Sequence, residues 1–278
     1  MQILLFHGIV DKQDIYEKYK WKHISSDNLK KIIKKYEVNK EEMIFSFDDA
    51  YKNCYESCVY LRKNNFNVSI AVPTSRVGTS HFWNDEIEVF FLKNPKKNIC
   101  INNCFYELTT DKKKISSLED FKKKFRSLKD NEQQLLMKQI KLEEKFWEKI
   151  IMPEKCIIMN YEELNKLKNI GVKLLHHSHS HKSLSSMSKN EIENDIDLCI
   201  KNLLKYTSTH PKIFVVPFGS SSDWSYTLEE ILFRKGFKEI WMVEEPFEGW
   251  VDNDNSNLIR RTRKNVDSEF YNNLFKKN

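Results

Sequence analysis

Short apolar runs that alternate with helical repeats constrain the fold of this chain more than any other feature. Residues 43–47 (MIFSF) predict a buried strand, residues 51–64 predict a helix, and residues 68–72 predict a second strand that Pro73 ends. The same alternation resumes after residue 160 and continues into the C-terminal region. Strand–helix–strand order of this kind predicts an α/β fold with a parallel sheet or barrel.

The remaining predicted elements extend the pattern over 278 residues, a length that fits one α/β barrel domain or two smaller ones. Further strands are predicted at 2–7, 172–175, 213–216, 239–243 and 258–262, and further helices at 28–36, 161–169, 189–206, 227–235 and 267–276. Between residues 75 and 153 lysine dominates and strand signals fade, while residues 117–151 predict two consecutive helices. We expect residues 1–278 to form a single domain with a helical insertion at 75–153.

Polar or turn-forming residues follow three of the predicted strands directly. Asp48 and Asp49 follow the strand at 43–47, a histidine cluster follows residues 172–175, and Pro217-Phe218-Gly219 follows residues 213–216. In barrels and open α/β sheets, functional side chains collect at the carboxyl ends of the strands. The three groups are therefore predicted to meet in one place.

The histidine cluster holds four of the chain's eight histidines between His176 and His181. His177 and His181 are four residues apart, so one helical turn or a tight loop can direct both rings at one ion. Taken alone, the cluster is equally compatible with a polar loop or a histidine-rich surface tract.

The acidic pair has three interpretations. Two adjacent carboxylates in a low-dielectric setting repel each other unless a cation lies between them. Asp48 or Asp49 could instead cap the helix predicted to follow, or hold Mg²⁺ in a phosphotransfer site. Paired histidine ligands favour Zn²⁺ or another transition metal over Mg²⁺.

Four short motifs in order make the chain resemble the polysaccharide deacetylases, the family of the NodB homology domain. The motifs are Leu5-Phe6-His7-Gly8-Ile9, similar to YHxV; Ser46-Phe47-Asp48-Asp49-Ala50, similar to TFDDG; His177-Ser178-His179-Ser180-His181, similar to H-[ST]-x-x-H; and Val215-Val216-Pro217-Phe218-Gly219, similar to R-x-P-[YF]-G. The order of elements over residues 161–237 is also similar to that of the family.

The resemblance implies a distorted (β/α)7 barrel and hydrolysis of the N-acetyl group of an amino sugar. It implies that Asp49, His177 and His181 hold one divalent metal, with Zn²⁺ expected first and Co²⁺, Ni²⁺ or Mn²⁺ as alternatives. Three protein ligands leave one position open for water or substrate. Asp48 is then the general base that takes a proton from the attacking water.

The resemblance also implies roles for the residues around these ligands. Ser178 is expected to order the histidine loop. A backbone N–H near Phe218, in the turn that Pro217 and Gly219 form, is expected to stabilise the oxyanion.

The sequence departs from the family pattern at two positions. Val215 stands where the third motif has an arginine that orients the base, and Arg260, Arg261 or Arg263 is expected to replace it. The late Leu-x-His motif, whose histidine supplies the general acid, is absent, and the corresponding residues begin Leu258-Ile259-Arg260. The auxiliary candidates for these missing roles are His7, His176, His179 and Arg261.

Composition and charge limit the partners. The net charge of +6 comes from lysines scattered over the helices, without the basic stripe and interleaved aromatic residues of a nucleic-acid groove. No apolar run reaches the roughly 18–20 residues of a transmembrane helix, and no signal-peptide core is visible, so a cytoplasmic location is expected. The expected substrate is an acylated amino sugar linked to a nucleotide or lipid, with peripheral membrane contact compatible with the charge.

Two alternatives stay open from the sequence. The same site could remove a formyl or other acyl group, or the chain could be a non-catalytic carbohydrate-binding protein that kept the barrel. The oligomeric state cannot be predicted from these patterns.

Overall fold

The structure is a computed structural model that describes residues 2–11, 22–79, 81–128, 130–148, 152–207, 210–243 and 258–266. The chain divides into two compact units, of which the second contains His81–Cys156 and the first contains the residues on both sides of that segment. No helix among the described residues is long and apolar enough to cross a membrane. The helix predicted at 267–276 lies outside the described residues.

The secondary structure alternates between strands and helices throughout the first unit. The strands are β1 (Gln2–Phe6), β2 (Gly8–Val10), β3 (His23–Ser25), β4 (Met43–Phe47), β5 (Asn67–Val72), β6 (Asn98–Ile101), β7 (Cys104–Glu107), β8 (Lys173–His176), β9 (Ile213–Val215), β10 (Glu239–Met242), β11 (Ile259–Thr262) and β12 (Lys264–Asn265). The α-helices are α1 (Ser26–Tyr36), α2 (Tyr55–Lys63), α3 (Trp83–Lys93), α4 (Asp111–Ser127), α5 (Asp130–Lys141), α6 (Glu144–Trp147), α7 (Tyr161–Asn169), α8 (Lys189–Leu204) and α9 (Tyr226–Arg234).

The first unit is built on an eight-stranded sheet in the order β11-β10-β9-β8-β5-β4-β1-β12. Every neighbouring pair in it is parallel. The two edge strands, β11 and β12, are separated in the chain by Arg263 alone. One bent segment therefore pairs with β10 on one side and β1 on the other, and it nearly closes the sheet into a barrel. The predicted α/β class and distorted (β/α)7 barrel are confirmed, with β11 and β12 counted as one strand.

A layer of apolar side chains fills the barrel, and each side chain comes from a different strand. Its members are Ile3, Ile44, Ala71, Leu175, Val215 and Trp241. Side chains alternate between the two faces of a strand, so the residues two and four positions beyond a core residue face the same side. Asp48 therefore continues the inward face of Ile44, and His177 continues that of Leu175. The apolar layer thus sets the direction of the polar residues that follow it.

The second unit has its own aromatic core and one β-hairpin. Phe90, Phe91 and Phe121 are buried in this core together with apolar residues of α3, α4 and the hairpin. The antiparallel strands β6 and β7 are joined by Asn102 and Asn103, which both have positive φ, as two-residue hairpin turns require. Sequence analysis foresaw neither the hairpin nor α3. The assignment of residues 75–153 as an insertion within one domain stays a prediction.

Candidate metal centre

The site lies where the parallel strands of the barrel end. Asp48 and Asp49 follow β4, His177 follows β8, and the Pro217-Phe218-Gly219 turn follows β9. Because these strands run in the same direction, their carboxyl ends meet at one end of the barrel. The backbone of β4 continues past its last residue, where the Asp48 N–H donates to the Phe6 carbonyl at 2.8 Å.

Asp49, His177 and His181 offer three ligand atoms that lie within 4.8 Å of one another. Asp49 Oδ1 lies 2.9 Å from His181 Nε2 and 3.6 Å from His177 Nε2. Ligand atoms bound tetrahedrally to Zn²⁺ at about 2.1 Å lie roughly 3.4 Å from one another. The observed separations therefore bracket the spacing that such an ion requires, and all three residues are buried.

Hydrogen bonding prepares these atoms for a cation. His177 Nδ1 lies 2.9 Å from the Val215 carbonyl oxygen, which can only accept, so Nδ1 carries the proton and Nε2 presents a lone pair when the ring is neutral. Asp49 Oδ1 is buried and has no hydrogen-bond partner among the described residues, although both histidine nitrogens are close to it. A buried acceptor facing two imidazole nitrogens without a hydrogen bond fits a shared divalent ion.

The electrostatics of the group also favour a positive charge at its centre. Burial alone would raise the pKa of Asp49, but the neighbouring His181 and His177 outweigh it and hold that pKa well below its usual range. Burial would likewise lower the pKa of His177, but Asp48 and Asp49 raise it above the ordinary histidine value. The carboxylates therefore stay ionised and attract either a proton on His177 or a metal ion in its place.

Asp48 lies beside this group and is held by an arginine. Arg263 Nη1 donates to Asp48 Oδ1 at 2.6 Å, and the side chains are 0% and 5% exposed. Asp48 Oδ2 lies 3.9 Å from His177 Nε2 and points toward the metal ligands. Burial would raise the pKa of Asp48, but Arg263 and then His177 outweigh this effect, so the pKa lies below its usual value. The carboxylate is therefore charged at neutral pH, with one oxygen anchored and the other directed at the site.

Backbone conformation is unusual at the functional residues themselves. Positive φ angles occur at Asp49 (71°), Ser178 (61°), His181 (55°) and Phe218 (63°). Non-glycine residues in this region cost of the order of 1–3 kcal/mol each, and they persist where the surrounding contacts determine them. Their concentration at three strand ends therefore marks this end of the barrel as the functional one.

The turn after β9 packs directly against a metal ligand. The Phe218 ring lies 5.1 Å from the His181 ring, centroid to centroid. Gly219 follows with φ +72°, and a Cβ there would lie 2.7 Å from the Val243 side chain, so the position requires glycine. The Gly219 carbonyl accepts from the Val243 N–H at 2.9 Å, which fixes the turn to the strand end of β10.

The auxiliary candidates fall into two groups. His7, which follows β1, interacts electrostatically with Asp49 and Asp48, and burial lowers its pKa to about 4 despite these carboxylates. It is therefore a neutral imidazole at the site at neutral pH. His176, by contrast, lies on the opposite face of β8 from His177, and its Nε2 is 3.1 Å from His210 Nδ1.

The other two candidates also point elsewhere. His179 Nδ1 hydrogen-bonds with Thr74 Oγ1 at 2.9 Å. Arg261 Nε donates at 2.7 Å to Glu239, at the beginning of β10, whereas the metal ligands lie where the strands end. The arginine that reaches the base is Arg263, one of three that the sequence left open. Asp195, which contacts the histidine loop, was not foreseen.

The comparisons with known proteins agree with this geometry. Residues 143–238 match the family model described as polysaccharide deacetylase. No curated protein sequence matches the chain.

Solved structures of deacetylases share the fold at low sequence identity. The Streptococcus pyogenes deacetylase PplD in complex with acetate is 11% identical, with a TM-score of 0.56 over 100% of this chain and 98% of that chain. A de-N-acetylase from Aggregatibacter actinomycetemcomitans is 14% identical, with a TM-score of 0.53 over 96% and 95% of the two chains. A polysaccharide deacetylase from Bacillus cereus is 12% identical, with a TM-score of 0.56 over 99% and 68%.

The protein thus has the α/β barrel that these deacetylases share. The predicted resemblance is confirmed: the chain is similar to the polysaccharide deacetylase family in sequence over residues 143–238 and in fold over nearly its whole length.

Proposed function

We propose that the protein is a metal-dependent hydrolase that removes an N-acetyl group from an amino sugar. The observation that carries this proposal is the convergence of Asp49, His177 and His181 beside an Asp48 carboxylate that Arg263 holds. The likeness to polysaccharide deacetylases supports a carbohydrate as substrate.

The chain's own residues supply three parts of the mechanism. A divalent ion held by Asp49, His177 and His181 supplies Lewis acidity, which polarises the acetyl carbonyl and lowers the pKa of the attacking water. Asp48 uses its free oxygen, Oδ2, to take the proton of that water, while Arg263 keeps Oδ1 in place. A backbone N–H of the turn at Phe218 donates to the developing oxyanion.

The ligand set is tested by measuring bound metal per chain in the wild type and in His177→Ala. One equivalent of Zn²⁺ or a similar ion is expected in the wild type, and the variant should lose it together with acetate release. His210→Ala is the matched control, because His210 bonds to His176 and to the Lys235 carbonyl rather than to the metal ligands. Wild-type protein that stays metal-free after loading with Zn²⁺, Co²⁺ or Ni²⁺ would rule out this function.

We further propose that the amino sugar is linked to a nucleotide or lipid phosphate, as a precursor of surface polysaccharide. The net charge of +6 supports an anionic substrate. The measurement is kcat/KM for acetate release from a nucleotide-linked N-acetyl amino sugar beside the same sugar without phosphate. The linked substrate should be faster, and its advantage should shrink as the salt concentration rises. Equal values for both substrates would contradict phosphate recognition.

A further inference from the structure

The segment that carries both histidine ligands has a conformation that needs support from outside. Ser178 and His181 both adopt left-handed φ angles, at 61° and 55°. Within the segment, Ser178 Oγ accepts from the His181 N–H at 2.9 Å. The tight turn also leaves the N–H groups of His179 and Ser180 pointing out of the loop, toward α8.

One buried carboxylate receives both of these N–H groups. The His179 N–H donates to Asp195 Oδ1 at 2.7 Å, and the Ser180 N–H donates to Asp195 Oδ2 at 2.9 Å. Asp195 lies on α8 and is 4% exposed. Each oxygen thus takes one N–H of a consecutive pair, an arrangement that matches the two acceptors of an ionised carboxylate. An amide in the same place would offer one acceptor and turn an NH₂ group toward the other N–H.

The opposite side of the loop is held by the end of β5. The Thr74 N–H donates to the Ser178 carbonyl at 3.2 Å, and the Ser75 N–H donates to the His179 carbonyl at 3.0 Å. The loop is therefore clamped, with its carbonyl groups bound on one side and its N–H groups bound on the other.

Asp195 belongs to a polar stripe on α8, formed by Asp195, Cys199 and Asn202, which are spaced to share one helix face. Cys199 Sγ lies 3.3 Å from His176 Nδ1, and Asn202 Nδ2 lies 3.4 Å from His179 Nδ1. The stripe thus touches the residue before the ligand pair and the residue between the ligands.

The direction of the hydrogen bonds explains the thiol's place in this stripe. The Lys235 carbonyl can only accept from His210 Nε2, so His210 Nδ1 is the acceptor for His176 Nε2. His176 Nδ1 is then left to accept from the Cys199 thiol. This chain fixes the ring of His176 and keeps it out of the metal group.

We propose that Asp195 is a positioning residue that holds the loop 177–181 in the conformation in which His177 and His181 bind the metal. The inference rests on the proposed metal site and assigns no contact between Asp195 and the ion. Removing the carboxylate leaves two buried N–H groups without an acceptor, so the loop relaxes and the two imidazole nitrogens separate. Residues that orient metal ligands in this way typically change metal affinity by about 10- to 100-fold when they are lost.

The test measures Zn²⁺ dissociation constants by chelator competition for the wild type, Asp195→Asn, Asp195→Ala and Asp197→Asn. Asp197 is the matched control, because it lies on the same helix with an exposed side chain and pairs with Lys235. A rise of about 10- to 100-fold is expected for the alanine variant, with a smaller rise for asparagine and no change for the control. The absorption spectrum of bound Co²⁺ should change in both Asp195 variants, because it reports the ligand geometry, which a purely structural role would leave intact.

Folding is checked first by thermal melting, and Asp195→Asn carries the test if the alanine variant does not fold. Folded Asp195 variants with wild-type Zn²⁺ affinity and Co²⁺ spectra would overturn this inference while leaving the proposed hydrolase intact. A wild type that binds no metal would overturn both together.

Discussion

Replacing Arg263 with methionine is expected to remove most of the activity at neutral pH and to shift the acid limb of kcat/KM to higher pH. Arg263 is the cation that holds the pKa of Asp48 below its ordinary value against the effect of burial. Without it, burial dominates and the pKa rises, so Asp48 is protonated over more of the working range. Stability should fall by about 3–5 kcal/mol, because a buried carboxylate loses its partner.

The sign of the pH dependence can be checked in unfolding experiments. A carboxyl group whose folded-state pKa is depressed stabilises the fold above its unfolded pKa, and this contribution is lost as the pH falls through the folded value. The contribution of Asp48 should therefore disappear in Arg263→Met. Urea unfolding as a function of pH measures it in both proteins.

The chain offers a control and a rescue for this variant. Arg261→Met removes an arginine two residues earlier on the same segment, but one that pairs with Glu239, so the acid limb should stay at its wild-type pH. Val215→Arg added to Arg263→Met puts an arginine where the family motif has one, and partial recovery of activity is expected. Unchanged pH profiles in a folded Arg263→Met would show that Arg263 does not orient the base.

Asp48→Asn is expected to lower kcat by about 10²- to 10⁴-fold while the protein keeps one equivalent of metal. The amide can still accept the Arg263 hydrogen bond through its oxygen, but it cannot take a proton from water. Acetate release measured alongside metal content separates this effect from ligand loss. Asp49→Asn is the paired variant, and it should lose metal and activity together.

Two results would contradict these roles. Loss of metal from a folded Asp48→Asn would make Asp48 a ligand. Near wild-type turnover in that variant would make another residue the base.

The sequence predicts the barrel well wherever a strand is a continuous apolar run between turn signals. The strand at residues 43–47 has the predicted bounds, and α7 has the bounds predicted for 161–169. Interaction of the metal ligands was also predictable, because residues that directly follow parallel strands must meet at one end. The hairpin of β6 and β7 was missed because its short strands expose every second residue and lie in a lysine-rich segment.

Other parts of the site depend on tertiary contacts that periodicity does not record. Arg261 and Arg263 face the same side of their strand, and only the bend between β11 and β12 decides which one reaches Asp48. Asp195 resembles any acidic residue of an amphipathic helix until its partners 15 and 16 residues away are known.

The strand that closes the barrel also carries the arginine that orients the base. Detachment of residues 259–265 would break the pairing with β1 and β10 together and would withdraw the Arg263 guanidinium in the same event. A subglobal opening confined to this edge would therefore inactivate the protein while the other parallel strands keep their pairing. Catalytic competence is in this sense a local property of the seam, with an opening free energy of its own that can lie below the free energy of global unfolding.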